Sequence, residues 1–185
     1  ARGSPDNAAR YAQYLLGIRN RLPVALATPS LFTAYRSPPS LRGALVIGIS
    51  QSGASPDVCA VVGEARRQGC RTIGITATPA SELGTIAHDV LDLGVEERSV
   101  AATMTYSTSL AAFALLSLVL DERESDFVAL EGIPDAMERT IDLVCREMEQ
   151  QEKARLEALR TVLIDETPGA LTNVIRGGIA RLATG

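Results

Sequence analysis

Histidine and lysine are almost missing from this chain. Among 185 residues there is one of each, His88 and Lys153, and every other basic residue is arginine. A Ser–His–Asp relay or a histidine-rich metal site would have to be built on His88. A Schiff-base mechanism would have to use Lys153, which stands in a charged, helix-like run. Cysteine is scarce too: Cys59, Cys70 and Cys145 are an odd number without metal-ligand spacing. That favours reduced thiols in a cytosolic protein over a disulfide framework, and neither a metal nor a cofactor is expected. Positive charge is in deficit. A net charge of −4 argues against a nucleic-acid partner, because phosphate-backbone binding needs a concentrated basic face. No apolar run approaches the length of a membrane span and no secretory signal is visible, so no membrane partner is expected and a cytoplasmic location is. An initiator methionine is also absent. The opening ARGSPDN reads like the end of a strand already under way, as in a fragment.

What is present is ordinary globular material, 46% hydrophobic and 22% charged, enough for one well-buried domain with an appendage. Ser4-Pro5-Asp6 is a helix start, and Ala8, Tyr11, Ala12 and Leu15 follow at helical spacing, predicting a helix from Pro5 to about Asn20. Pro23 to Ala27 reads as a short strand, and Thr28-Pro29 starts a short helix ending near Tyr35. Arg36 to Gly43 is a loop. Further strands are predicted at Ala44–Ile49, Arg71–Thr76 and Asp89–Gly94, with helices at Pro56–Gln68 and Ser81–Ile86 between them. Thr103 to Leu120 is a strongly apolar helix, with Leu110, Phe113, Ala114, Leu116 and Leu120 in or near the core. Tyr11, Tyr14 and Phe32 are also expected to be core rather than a stacking platform. Short strands apolar on both faces, alternating with helices, predict a parallel sheet covered by helices on both sides. Beyond the charged break at Asp121–Asp126 the composition changes. Pro134 to about Leu163 reads as one long charged helix, with Met137, Ile141, Val144 and Met148 as an apolar stripe for its own domain or a partner subunit. A further helix is expected within Thr167–Gly185.

The strongest signal lies between the second predicted strand and its helix: Ser50-Gln51-Ser52-Gly53-Ala54-Ser55-Pro56-Asp57. Pro56 suits the first helical position, and Ser55 before it is a favoured N-cap. A plain strand-to-helix turn needs one glycine and one cap. Three serines and a glutamine in six residues exceed that need. Free backbone N–H groups, the positive end of the helix dipole and several hydroxyls converge there on a site for an anion. In a parallel α/β sheet this loop falls beyond the carboxyl ends of the strands, where ligands bind. The loop is not a P-loop, since no Gly-Lys-Ser/Thr follows, and its glycine spacing is wrong for a dinucleotide fingerprint. With no Lys or Arg in it, it suits a single phosphate. Glu96-Glu97-Arg98-Ser99-Val100-Ala101-Ala102-Thr103 reads alone as a charged loop and a helix start. His88, at a strand entrance, reads as an exposed or capping residue.

Three segments, ARGSPDNAARY at 1–11, GISQSGASPD at 48–57 and EERSVAATMTYST at 96–108, resemble the sugar isomerase (SIS) domain of phosphosugar isomerases and of the isomerase half of glucosamine-6-phosphate synthase. The resemblance covers residues 1 to about 120, leaving 121–185 as a helical extension. It implies a flavodoxin-like, three-layer α/β/α sandwich with a five-stranded parallel sheet. It also implies that Ser50, Gln51, Ser52 and Ser55 hold a sugar phosphate, with Ser4 contributing from the first loop, and that Val100 and Ala101 present backbone to the sugar. Glu97 matches the family's glutamate ahead of that segment and is the one local carboxylate to nominate as catalytic. Pro5 stands where the family usually has a serine, and Met104 where a lysine is often seen. The implied reaction is aldose–ketose isomerisation, with amino transfer or loss as a variant, in a homodimer or higher homo-oligomer. The rival expectation is a non-catalytic sugar-phosphate sensor. No DNA-binding helix-turn-helix is visible.

Overall fold

A computed structural model describes residues 3–97, 103–122, 126–147 and 169. The side chains of Ser4 and of 143–147 lie outside that description. The elements run α1 (Ser4–Arg19), α2 (Ser30–Thr33), β1 (Leu45–Ile49), α3 (Pro56–Arg67), β2 (Arg71–Thr76), α4 (Glu82–Ile86), β3 (Asp89–Asp92), α5 (Thr103–Leu120), α6 (Phe127–Glu131) and α7 (Ile133–Glu147). The described strands form one parallel sheet in the order β1-β2-β3. Parallel neighbours need a crossover, and α3 and α4 supply the two.

Both faces of this sheet are covered, as its apolar strands require. On one face Ile49, Ile75 and Leu93 pack with Ala12 of α1 and Met104, Ala112 and Phe113 of α5. On the other, Val58, Cys59 and Val62 of α3 pack with Leu83 of α4 and Ala87. The second face is unusually close because two glycines sit side by side in it, Gly48 of β1 paired in register with Gly74 of β2. A Cβ on Gly48 would lie 2.6 Å from Val62 Cγ2, 3.0 Å from Val58 Cγ1 and 3.1 Å from Leu83 Cδ1. The absence of side chains there lets α3 and α4 settle onto the strands.

α5 is long and apolar enough to cross a membrane, contrary to the sequence expectation, but half of it is buried inside the protein. Its inward side is made of small residues, among them Thr105, Thr108, Ser109, Ala111, Ala112 and Ser117, which allow close approach to α1. The larger Leu110, Leu116 and Leu120 are only partly buried or exposed. Hydroxyls survive in this core because the helix satisfies them itself. Thr108 Oγ1 donates to Met104 O at 2.8 Å and Ser109 Oγ to Thr105 O at 2.6 Å. Ser117 Oγ donates to Asn20 Oδ1 at 2.8 Å, while Asn20 Nδ2 donates to Ser117 O and to Asp121 Oδ1. This clasp joins the C-terminal ends of α1 and α5.

Several expectations need correction. Pro23–Ala27 is not a strand. Pro23 has no N–H to give a ladder, and the Val24 carbonyl accepts from Gln13 Nε2 at 2.9 Å instead. Among the described residues the sheet has three strands. Tyr14 is not core: it is 71% exposed on α1, and Tyr11 is 37% exposed. The buried stripe of that helix is Ala8, Ala12 and Leu16, and Tyr14 lies off it. In α7, Met137 and Ile141 are half-buried. The Val144 side chain, Met148 and the expected helix within Thr167–Gly185 (Gly169 apart) lie outside the described residues.

Gly48→Ala tests the close approach. Overpacking of this kind costs about 1–3 kcal/mol, so urea unfolding should show a loss of about 2 kcal/mol with an unchanged m-value. A loss below about 0.5 kcal/mol would mean that the helices do not rest on the glycine pair.

Candidate functional site

The serine loop begins where β1 ends, and the end of β2 holds it. Ser50, only 6% exposed, extends the ladder by donating its N–H to Ile75 O at 3.0 Å. The Gln51 carbonyl accepts from Ala77 N and from Thr76 Oγ1, each at 3.1 Å. The Gly53 carbonyl accepts from Leu83 N at 2.8 Å, tying the loop to the first turn of α4. Gly53 itself has φ +63°, and a Cβ there would lie 1.8 Å from Ser81 Oγ, so both the backbone and the space call for glycine.

The hydroxyls are then disposed in three ways. Ser50 is buried beneath the loop. Ser52 is exposed, with Oγ accepting weakly from Ala54 N at 3.3 Å. Ser55 is the N-cap of α3 by position, as expected, but its side chain makes no capping bond. The first-turn N–H groups of α3 are thus left without a side-chain cap. Asp57, the carboxylate nearest that helix end, accepts from Thr33 Oγ1 at 2.9 Å. Together these features form an uncapped helix N-terminus that follows directly on a loop of serines and one glutamine. Chemically that arrangement can take an anion of phosphate size.

A second helix begins at the same edge. Met104 of α5 packs in one cluster with Ile49, Ile75 and Val95, with Ala77 against it. Ile49 and Ile75 immediately precede Ser50 and Thr76, so the first turn of α5 shares the core cluster on which these two strands end. Glu97 Oε2 accepts from Thr105 N at 3.0 Å. The residue nominated as catalytic is therefore a cap on α5. Val100 and Ala101 lie outside the described residues. Ser4 is the first residue of α1, and its side chain lies outside the description as well.

His88 stands at the other edge of the sheet, where β3 enters. Its N–H donates to Thr72 O and Thr72 Oγ1, and its Nδ1 lies 2.8 Å from the same hydroxyl. Among the described residues no cluster of His, Cys, Asp and Glu could hold a metal. A surface groove of about 300 Å³ lined by Phe32, Pro38, Ala60, Gly63, Glu64 and Arg67 shares no residue with the serine loop. In it, the Arg67 guanidinium and the Gln68 amide hold the Glu64 carboxyl down to about 2. Sequence reasoning missed Thr76, Ser81, Thr103 and Thr105, whose hydroxyls all lie at this end of the sheet or begin a helix beside it. The available signal was a hydroxyl residue at the end of β2 and at the starts of α4 and α5.

These features define a class: a parallel α/β domain with an uncapped, serine-rich helix N-terminus beyond the carboxyl end of its first strand. The SIS domain family model matches residues 1–119. The chain belongs to the SIS domain family. Among curated relatives, the glutamine–fructose-6-phosphate aminotransferase [isomerizing] of Gloeobacter violaceus is 34% identical over 164 residues, covering 80% of this chain and 27% of that protein. The enzyme of the same name from Thermus thermophilus is 32% identical over 166 residues, covering 83% and 27%. The chain therefore spans about a quarter of the length of these relatives. Among solved structures, a Silicibacter pomeroyi protein assigned as a phosphosugar isomerase superposes with a TM-score of 0.69 at 35% identity, over 72% of this chain and 41% of that one. Glucosamine-6-phosphate deaminase of Thermotoga maritima shares the fold, with a TM-score of 0.61 at 20% identity over 81% and 47% of the two chains.

Cys59 sits under the loop, buried, with Sγ 3.6 Å from Gly53 O. Burial first, and then the nearby Glu82 carboxylate, push its thiol above the ordinary range. Since the thiolate is the reactive form, Cys59 should resist alkylation at pH 8 in the folded protein. Its reactivity should rise only at higher pH than that of an unfolded control. Peptide mapping after iodoacetamide treatment checks this, and rapid labelling of native Cys59 would contradict it.

Proposed function

We propose that this chain binds a phosphorylated sugar, with the phosphate on the N-terminus of α3 and within reach of Ser50, Gln51, Ser52 and Ser55. The observation that carries the reading is the uncapped helix end, with Ser55 in the cap position but not capping and Ser52 exposed beside it. A ligand phosphate would complete what the side chains leave open. The printed names of the relatives, phosphosugar isomerase and glutamine–fructose-6-phosphate aminotransferase, agree with a sugar phosphate as ligand. By the same reading the domain is a flavodoxin-like α/β/α sandwich whose full sheet has five strands. Residues 121–185 form a helical extension, and the protein works as a cytoplasmic homo-oligomer. Ser4, Val100 and Ala101 complete the sugar's contacts.

The reaction class is aldose–ketose isomerisation of a phosphosugar or amino-sugar phosphate, by proton transfer through an enediol or enolamine. Such a transfer needs an acid and a base within hydrogen-bond reach of the sugar's C1 and C2. One observation favours a second reading, a sensor that binds without turnover. Among the described residues Glu97 accepts from the α5 backbone, and His88 is held by Thr72 at the far edge of the sheet.

Calorimetric titration with inorganic phosphate and hexose 6-phosphates, followed by an isomerase assay on the same preparation, tests both readings. A hydrogen bond to a charged group contributes about 1.5–3 kcal/mol, so Ser52→Ala should weaken hexose phosphate binding by about tenfold or more. Binding with turnover supports the isomerase, and binding without it the sensor. No binding by the wild type would overturn the proposal.

A further inference from the structure

The first turn of α3 carries a carboxylate of its own. Asp57 is the second residue of the helix, directly after Pro56. An acidic side chain in the first turn is drawn to the free N–H groups there, where it satisfies a donor and offsets the positive end of the dipole. The Ser55 side chain makes no capping bond, so it does not occupy those groups. An internal carboxylate and an external phosphate therefore compete for the same donors.

Asp57 is engaged by α2. Asp57, Ala60, Glu64 and Arg67 follow one another at helical spacing and share one face of α3. The face turned to the sheet carries Val58, Val62 and Ala65 instead, all buried. Phe32 of α2 lines one groove with Ala60, Gly63, Glu64 and Arg67, which puts α2 on the Asp57 face. There Thr33 Oγ1 donates to Asp57 Oδ1 at 2.9 Å. The donor is itself fixed, since Thr33 N–H bonds the Pro29 carbonyl at 3.1 Å within the short turn of α2.

We infer that Thr33 is a positioning residue for the anion site. By holding the Asp57 carboxylate against α2, it keeps the first-turn N–H groups of α3 open to a phosphate. Once released, the carboxylate takes the helix end and closes the site from within. Thr33 acts through Asp57 and not by contact with the ligand. This rests on the phosphosugar reading and adds to it how the helix end is kept free.

Calorimetry on the full chain with inorganic phosphate and a hexose 6-phosphate tests it, in the wild type, Thr33→Val, Thr33→Ser, Asp57→Ala and the double variant Thr33→Val/Asp57→Ala. Thr33→Val keeps the branched shape but loses the hydroxyl, and should weaken both ligands by about fivefold, the effect of one carboxylate at a helix end. Thr33→Ser keeps the donor and should bind like the wild type. Asp57→Ala removes the competitor and should bind at least as tightly as the wild type. Adding Thr33→Val to Asp57→Ala should then change affinity by less than about twofold, whereas general damage to α2 would weaken binding in both backgrounds. Thr33→Val binding like the wild type, or equal losses in both backgrounds, would overturn the inference and leave the phosphosugar reading intact. Weaker binding by Asp57→Ala than by the wild type would also overturn it, and needs no change in α2. Failure of the wild type to bind either ligand would remove the phosphosugar reading and this inference with it.

Discussion

The contact on which the rest of this fold depends is the close approach of α3 and α4 to the glycine pair Gly48 and Gly74. With no side chains in the middle of that face, Val58, Val62 and Leu83 reach the strand backbones. The depth of α3 then determines where its N-terminus stands relative to the end of β1. The depth of α4 brings Leu83 N–H to the Gly53 carbonyl and Ser81 against Gly53 itself. The serine loop is consequently held at both ends by main-chain bonds, and its hydroxyls need not contribute to its shape. Side chains released from structural work in this way are available for a ligand.

The opposite face follows a different rule. α1 and α5 meet through alanines, serines and threonines, and the polar members are tolerated because carbonyls one turn back, or Asn20, satisfy them. At the first turn of α5 that accounting breaks down, with Thr103 and Thr105 left without partners beside a capping carboxylate. Unsatisfied buried groups are rare in packed cores and tend to mark functional positions. The two helix ends at this edge therefore differ, α3 having no side-chain cap and α5 being capped by Glu97.

Much of this was legible in the chain. Hydrophobic periodicity and the Ser-Pro-Asp starts placed α1, α3 and α5 nearly to the residue, because proline and serine act locally at helix ends. Pro23–Ala27 was misread because a five-residue apolar run carries no record of whether a partner strand is present to pair with it. Tyr14 was misread because a ring on an amphipathic helix does not say which face the helix turns to the sheet, and the buried face carries Ala8, Ala12 and Leu16. Glu97 reads alone as part of a charged loop, the family resemblance nominates it as catalytic, and its bond from Thr105 N is visible only in the folded chain.

By itself, the sequence determined the alternation of strand and helix, the parallel sheet and the position of the serine loop between β1 and α3. These follow from local rules of turn chemistry, capping and periodicity, each acting over a few residues. Only the tertiary structure decided which groups at that edge are spent and which remain open. Glu97 is eight residues from the N–H it accepts, and the Gln51 carbonyl is bonded by a threonine 25 residues away. Those bonds depend on how deeply the helices seat on the sheet, and no local pattern in the chain encodes that depth.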